Sequence, residues 1–229
     1  MWKLYDDLYI GIPSGIRIAG CIVGEKWTCV SANGNVGIAR TLGLPEIPEI
    51  FQAGFAGAYL RDTGNHMKWD SLARASVGVA ALNAWYNTKE RAEGLGGFTS
   101  SPAALPERTA YVGDFYGTSD AVFPLPKRPD FDRAAYLRLK EFDAVIVSAD
   151  ALTTRALPGL LGIIGEQGNV IMDGYSLPCS ALYFAFDMPV RELWGYSALY
   201  IDTLLACAKS GISDPSPGLL PFVIKPQKP

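Results

Sequence analysis

Three aspartates in the second half of this 229-residue chain stand just past short apolar runs. Asp114 follows Val112-Gly113, Asp150 follows Ala144 to Ala149, and Asp173 follows Val170-Ile171-Met172. Carboxylates so placed suit three kinds of chemistry. They can hold a hard cation such as Mg²⁺, with water completing the shell. They can accept hydrogen bonds from ribose-like hydroxyls. One of them can serve as a general base if its pKa is raised. The same loops carry Gly113, Tyr116, Ser148, Thr153, Thr154, Gly174 and Ser176. Any single Asp is equally well read as a helix cap or turn former. Three such loops at one sheet edge favour a pocket for a small molecule. From the first half, Asn83 lies among alanines. If buried, it must bond a nearby backbone or line a cleft.

Scarce residue types narrow the chemistry further. There is one histidine, His66, and there are four cysteines, Cys21, Cys29, Cys179 and Cys207. One chain therefore cannot build a three-His zinc centre, and the cysteine spacing excludes a paired-Cys zinc knuckle. The cysteines read as structural thiols. Cys179, beside Pro178 at an expected helix start, is the most reactive-looking of them. His66 follows Gly64-Asn65 and reads as a surface residue of a loop. No Gly-Lys-Ser or Gly-Lys-Thr is present, and Gly113 and Gly117 lack dinucleotide spacing. A Gly-x-Ser-x-Gly elbow is absent too, which argues against a hydrolase triad.

Twenty Lys and Arg against twenty-three Asp and Glu leave a net charge of −3. That offers no basic field for nucleic acid or for an anionic membrane. A hydrophobic share of 49% is enough for a core. No export signal and no run of transmembrane length stand out, so the chain reads as a reduced cytoplasmic protein.

The elements that must position the aspartates follow from the patterning. Residues 1–92 read as an α+β unit. A helix covers Trp2 to Ile10. Three antiparallel strands form a meander from Ile16 to Arg40, with a hairpin at Asn33-Gly34. A helix rich in small residues follows, capped by Asp70 and running to Tyr86, with Asn87 helping to end it. Residues 93–107, with Gly94, Gly96, Gly97, Ser100, Ser101, Pro102 and Pro106, read as a linker. Residues 108–213 alternate strands with helices, which argues a mainly parallel sheet covered on both faces. Its expected elements are strands at Thr109–Val112, Ala121–Leu125, Ala144–Val147, Asn169–Met172 and Val190–Trp194. Helices are expected at Ala134–Phe142, Thr153–Ile164 with a kink at Pro158, Pro178–Phe186 and Ser197–Lys209. The tail, 214–229, is Pro-rich and reads as extended, docked or loose.

A family resemblance rests on dispersed stretches of the chain. They are Tyr5-Asp6-Asp7-Leu8 with Gly11-Ile12-Pro13, Trp27-Thr28 with Gly34 and Gly37 to Ala39, and Ser71 to Ala75 with Gly78 and Ala81 to Ala84. In the second half they are Val112-Gly113, Phe142 to Ser148, Gly174 to Pro178, and Leu193-Trp194-Gly195. In these the chain resembles the heavy-metal chelation family, uncharacterised proteins of two domains. The resemblance implies an enolase N-terminal-like domain, then a Rossmann-like domain, with a ligand in the cleft between them. Two loops depart from the family pattern. Ala149 to Arg155 replaces a Thr-rich turn, and Asp173 to Ser176 replaces Gly-Pro-Ser. Soft metals prefer thiolate and imidazole, which are few here. A metal already held in an organic chelate needs no such cage.

The leading expectation is thus a protein that binds a small polar or metal-bearing ligand. The residues expected to carry it are Gly113, Asp114, Tyr116, Ser148, Asp150, Thr153, Thr154, Asp173, Gly174 and Ser176, with Asn83 from the first half. A second is an enzyme with a nucleotide or nucleoside cofactor in the second half, with the metal or metal chelate favoured over the nucleotide. A third is a non-catalytic assembly partner, including a homo-oligomer. The sequence names neither catalytic residues nor metal ligands.

Overall fold

The structure is a computed structural model that describes residues 2–43, 54–114, 121–126, 131–185 and 188–226. The first helix, α1 (Trp2–Ile10), buries Leu4, Tyr5 and Leu8. Strands β1 (Ile18–Val23), β2 (Trp27–Ala32) and β3 (Asn35–Arg40) form the expected antiparallel meander in the order β1-β2-β3. Asn33 and Gly34 both have positive φ, 51° and 74°, as a two-residue hairpin turn requires. A short helix α2 (Leu60–Gly64) and a 3₁₀ turn (Asn65–Lys68) lead to α3 (Leu72–Tyr86). The cap of α3 is Ser71, whose side chain accepts from the Arg74 N–H; it is not Asp70. Asp70 instead takes an ion pair from Arg155. Ser wins because its short hydroxyl sits one residue closer to the free N–H groups.

Helix α3 is buried on nearly every side because it lies between the meander and the rest of the chain. Its small side chains let the sheet approach closely. A Cβ built on Gly37 of β3 would lie 2.0 Å from both the Ala80 carbonyl oxygen and the Ala84 nitrogen, so only glycine fits.

After α4 (Lys89–Gly94) the chain runs as coil to the second sheet. This segment is tied down at two points. Gly97 O accepts from Val223 N–H, and Ala103 N–H donates to the buried Glu192. Six strands then assemble: β4 (Thr109–Val112), β5 (Val122–Phe123), β6 (Ala144–Ser148), β7 (Val170–Asp173), β8 (Val190–Ala198) and β9 (Leu219–Ile224). Their order is β5-β4-β6-β7-β8-β9; the first five are parallel and β9 is antiparallel. The mixed α/β class is therefore as expected.

Several details differ from the expected elements. The segment from Asp150 to Ile164 forms two helices, α5 (Asp150–Thr153) and α6 (Leu157–Ile164). Pro158 falls in the first turn of α6, where its missing N–H costs nothing. Arg133–Glu141 winds as a 3₁₀ helix, with Asp132 capping it as expected. Only Ala181–Phe184 of the helix expected at Pro178–Phe186 is helical, and Phe186 lies outside the described residues. Strand β8 continues through Ser197 and Ala198, so the following helix, α7, starts at Ile201 and ends at Ser210 before Gly211. The tail is the edge strand β9, because Leu219, Phe222, Val223 and Ile224 have core to bury and β8 offers a free edge.

Helix α6 shares a core with Val147 and Met172. Tyr196, on the opposite face of the sheet, packs with Leu204, Cys207 and Leu219 around α7. The same helix covers the outer face of the meander at Trp27 and Cys29, and the Trp27 indole N–H donates to Ile212 O at 2.9 Å. The main core runs without a break from Leu4 to Ile224, so both sheets share it. Among the described residues no helix is long and apolar enough to cross a membrane.

Candidate functional site

In the larger sheet the chain steps from β4 outward to β5, then crosses back to β6 on the other side of β4. At such a reversal the two flanking loops part and leave a crevice outside the carboxyl ends of the strands. Asp114 stands near the start of the loop after β4 on one side, and Asp150 begins α5 after β6 on the other. Between them stands Arg40, the last residue of β3.

One guanidinium nitrogen gathers both carboxylates. Arg40 Nη1 donates to Asp114 Oδ2 at 2.7 Å and to Asp150 Oδ2 at 3.4 Å. Asp150 is held from behind by Ser176 Oγ, which donates to its Oδ1 at 2.7 Å. Ser176 Oγ in turn accepts from the Arg40 backbone N–H at 3.0 Å. Ser148 Oγ accepts from the Asp150 backbone N–H at 3.3 Å. Thus β3 of the smaller sheet is stitched to the loops after β6 and β7 of the larger one. Exposure separates the two carboxylates. The Asp150 side chain is 9% exposed and that of Asp114 is 64% exposed. Burial pushes the Asp150 carboxyl up, against the pull of Ser176 and Arg40.

Asp173 ends β7 and pairs in register with Ser148 and Trp194. Burial pushes its carboxyl from 3.8 up to about 6, opposed by the Gly174 N–H. A carboxyl raised on folding favours the folded state while protonated. That contribution is complete below about pH 3.8 and is lost as pH rises to about 6. Asp173→Asn should therefore stabilise the protein at pH 7.5, by about 1–2 kcal/mol after allowance for solvent at a half-buried group. At pH 4 the gain should nearly vanish. Urea unfolding at the two pH values checks this; an equal effect at both would refute it.

The other expected site residues divide. Gly113 and Gly174 sit at positive φ, 128° and 131°, at the strand ends where they were placed. Thr153 and Thr154 are fully buried, and their hydroxyls have no partner among the described residues; they join neither Arg40 nor Asp150. Asn83 is buried and donates to Ile38 O at 2.7 Å and Tyr175 O at 3.4 Å, so it fixes the loop after β7 and does not line a cleft. Tyr116 lies outside the described residues. Arg40 was missed. The only signal in the sequence was a cation closing an otherwise apolar strand.

The histidine and the cysteines fare differently. His66 is half-buried between the rings of Phe55 and Trp69, so it is not a loop surface residue. The hydrophobic neighbours Phe55 and Trp69 supply a slot that its ring fills. Cys179 is buried in an extended stretch, its thiol pushed up to about 12 by burial, which removes the reactive character its position suggested. Burial likewise holds Cys21 and Cys29 at about 12. Burial thus disfavours the thiolate, the form that binds soft metals. Among the described residues no three His, Cys, Asp or Glu groups gather as a metal set.

Residues 5–86, which include Arg40 and Asn83, match the model of the DUF4213 family, described as "Putative heavy-metal chelation". The whole chain is similar in fold to crystal structures of two DUF364-family proteins of unknown function. One, from Desulfitobacterium hafniense, is 19% identical with a TM-score of 0.83. The other, from Pyrococcus horikoshii, is 18% identical with a TM-score of 0.73. Each comparison covers 98% of both chains. No curated protein matches the chain in sequence. The chain thus has the fold of these DUF364 structures, and its residues 5–86 are similar to the family model described as "Putative heavy-metal chelation".

Proposed function

We propose that the chain binds a small carboxylate-bearing ligand, free or as a metal chelate, at the crevice where Arg40 meets Asp114 and Asp150. The observation that carries this is the asymmetry of the Arg40 pairing. Asp150 holds the guanidinium from inside and is itself fixed by Ser176. On the outside, among the described residues, Arg40 pairs with Asp114, which is largely exposed. An exposed ion pair contributes about 0–1 kcal/mol, so a ligand carboxylate can take the place of Asp114 at little cost. A guanidinium fork also matches carboxylate geometry with two parallel N–H groups. In a Rossmann-like reading of the larger sheet, this is the crevice where ligands are expected.

The link with heavy metals then runs through the ligand. Chelators of metal ions are rich in carboxylates, and among the described residues the chain's own thiols join no set of three metal-binding groups. The metal is cargo in this reading, held by the chelator.

Citrate and nickel citrate serve as probes in calorimetric titration. Arg40→Gln should weaken binding at least roughly tenfold, the loss of one charge-assisted contact of about 1.5–3 kcal/mol. Asp114→Asn should strengthen it, because the internal competitor is gone. Unchanged affinity in Arg40→Gln would overturn the proposal.

A further inference from the structure

The loops after β4, β6 and β7 all reach the Arg40 group or its surroundings. The loop after β8 does not. It opens on a separate cleft of about 660 Å³, bounded by the β2–β3 turn, the end of α3, the start of α4 and the start of α7. That volume lies within the range of small-molecule sites, about 300–1,000 Å³.

Two features of the lining stand out. The first is an unpaired cation. The Arg91 guanidinium stacks 3.8 Å from the centre of the Trp85 ring and makes no ion pair among the described residues. Lys89, beside it, pairs with the exposed Glu93 at 3.6 Å, and Glu90 is the one acid among the described residues lining the cleft. Stacking on Trp85 fixes the guanidinium plane and leaves its N–H groups free for an acceptor. The second feature is apolar. Leu199 and Ile201 line the same cleft and are 45% and 36% exposed. A single exposed Leu is ordinary, but apolar side chains sharing a hollow with a stacked cation suit a ligand with both characters.

We propose that this cleft is a second binding site, for a small organic anion with a flat apolar body. The anionic group would meet Arg91, with Lys89 adding charge, and the apolar body would cover Leu199 and Ile201. The Arg40 group is a different site, with different demands on its ligand.

The test uses 8-anilinonaphthalene-1-sulfonate, an anion of this shape that fluoresces when bound, and its neutral relative N-phenyl-1-naphthylamine. The full chain should bind the sulfonate at one saturable site. Arg91→Gln should weaken this binding roughly tenfold, and Leu199→Asp should do the same. Arg40→Gln should leave it unchanged. The neutral relative should bind the wild type at least roughly tenfold more weakly and should ignore Arg91→Gln. Should Arg91→Gln lower the melting temperature, Leu199→Asp carries the test, since it alters an exposed position. Two results would overturn the proposal. One is unchanged sulfonate affinity in both cleft variants. The other is loss of binding in Arg40→Gln with retention in Arg91→Gln, which would move the anion to the Arg40 group. A loss confined to citrate binding in Arg40→Gln bears on the first site alone.

Discussion

Gly37→Ala should cost the protein at least about 3 kcal/mol, the upper end of what overpacking of a core usually costs. The obstacle is backbone on both sides. The added Cβ would fall 2.0 Å from the Ala80 oxygen and 2.0 Å from the Ala84 nitrogen, inside a helix that cannot give way locally. Either β3 must lift from α3 or the helix must bend. In both cases Asn83 loses its grip on Ile38 O, and Arg40, three residues along β3, shifts from its carboxylates. A domain with about 5–15 kcal/mol of stability has little room for that loss. Denaturant unfolding checks it against Gly15→Ala. At Gly15 a Cβ meets nothing within 4 Å, and the change should stay within about 0.5 kcal/mol. Gly37→Ala as stable as Gly15→Ala would mean that α3 does not rest on β3 as described.

Asn87→Ala should be comparably severe. The Asn87 side chain is buried and makes three of its four possible hydrogen bonds across the molecule. Its Nδ2 donates to Leu177 O and Tyr196 O, both at 2.9 Å, and its Oδ1 accepts from Cys179 N–H at 2.7 Å. Its own carbonyl accepts from Ala198 N–H. Truncation strands two carbonyls and an N–H in a dry interior. At about 1–3 kcal/mol for each unsatisfied group, with partial relaxation, the loss should reach about 3–5 kcal/mol. The loop after β7 also carries Ser176, so citrate binding should weaken in the same variant. Thermal unfolding and the calorimetric titration read the two effects together. Loss of less than about 1 kcal/mol would show that water replaces the amide freely.

Much of the fold was legible because short periods betray it. The alternation from Ile18 to Ala32 and the Asn33-Gly34 turn set the meander, and the apolar runs at Ala144 and Val170 set the parallel strands. Strand β9 was obscured by its prolines. Pro221 sits in an edge strand, where a missing N–H toward solvent is tolerated, so a Pro-rich stretch still paired with β8. Asn87 was read as a helix terminator, and it is one, but its side chain bonds partners 90 and 109 residues away that no local pattern announces. The candidate site was legible by half. Asp114, Asp150 and Ser176 could be placed because strand ends can be counted. Arg40 comes from another sheet, 74 residues before Asp114, and only the packing of α3 on β3 brings it there. Thr153 and Thr154 turn inward, as polar residues near a strand end often do, and their hydroxyls are buried away from Arg40.

The placement of α7 on the meander carries a consequence for how the chain is made. One face of that small sheet is sealed by α3, which follows it closely in sequence. The other, with Trp27 and Cys29, waits for α7, which begins at Ile201. At about 5–20 residues per second of synthesis, that face stays bare on the ribosome for on the order of ten seconds or more. For that interval the growing chain presents an apolar surface to solvent.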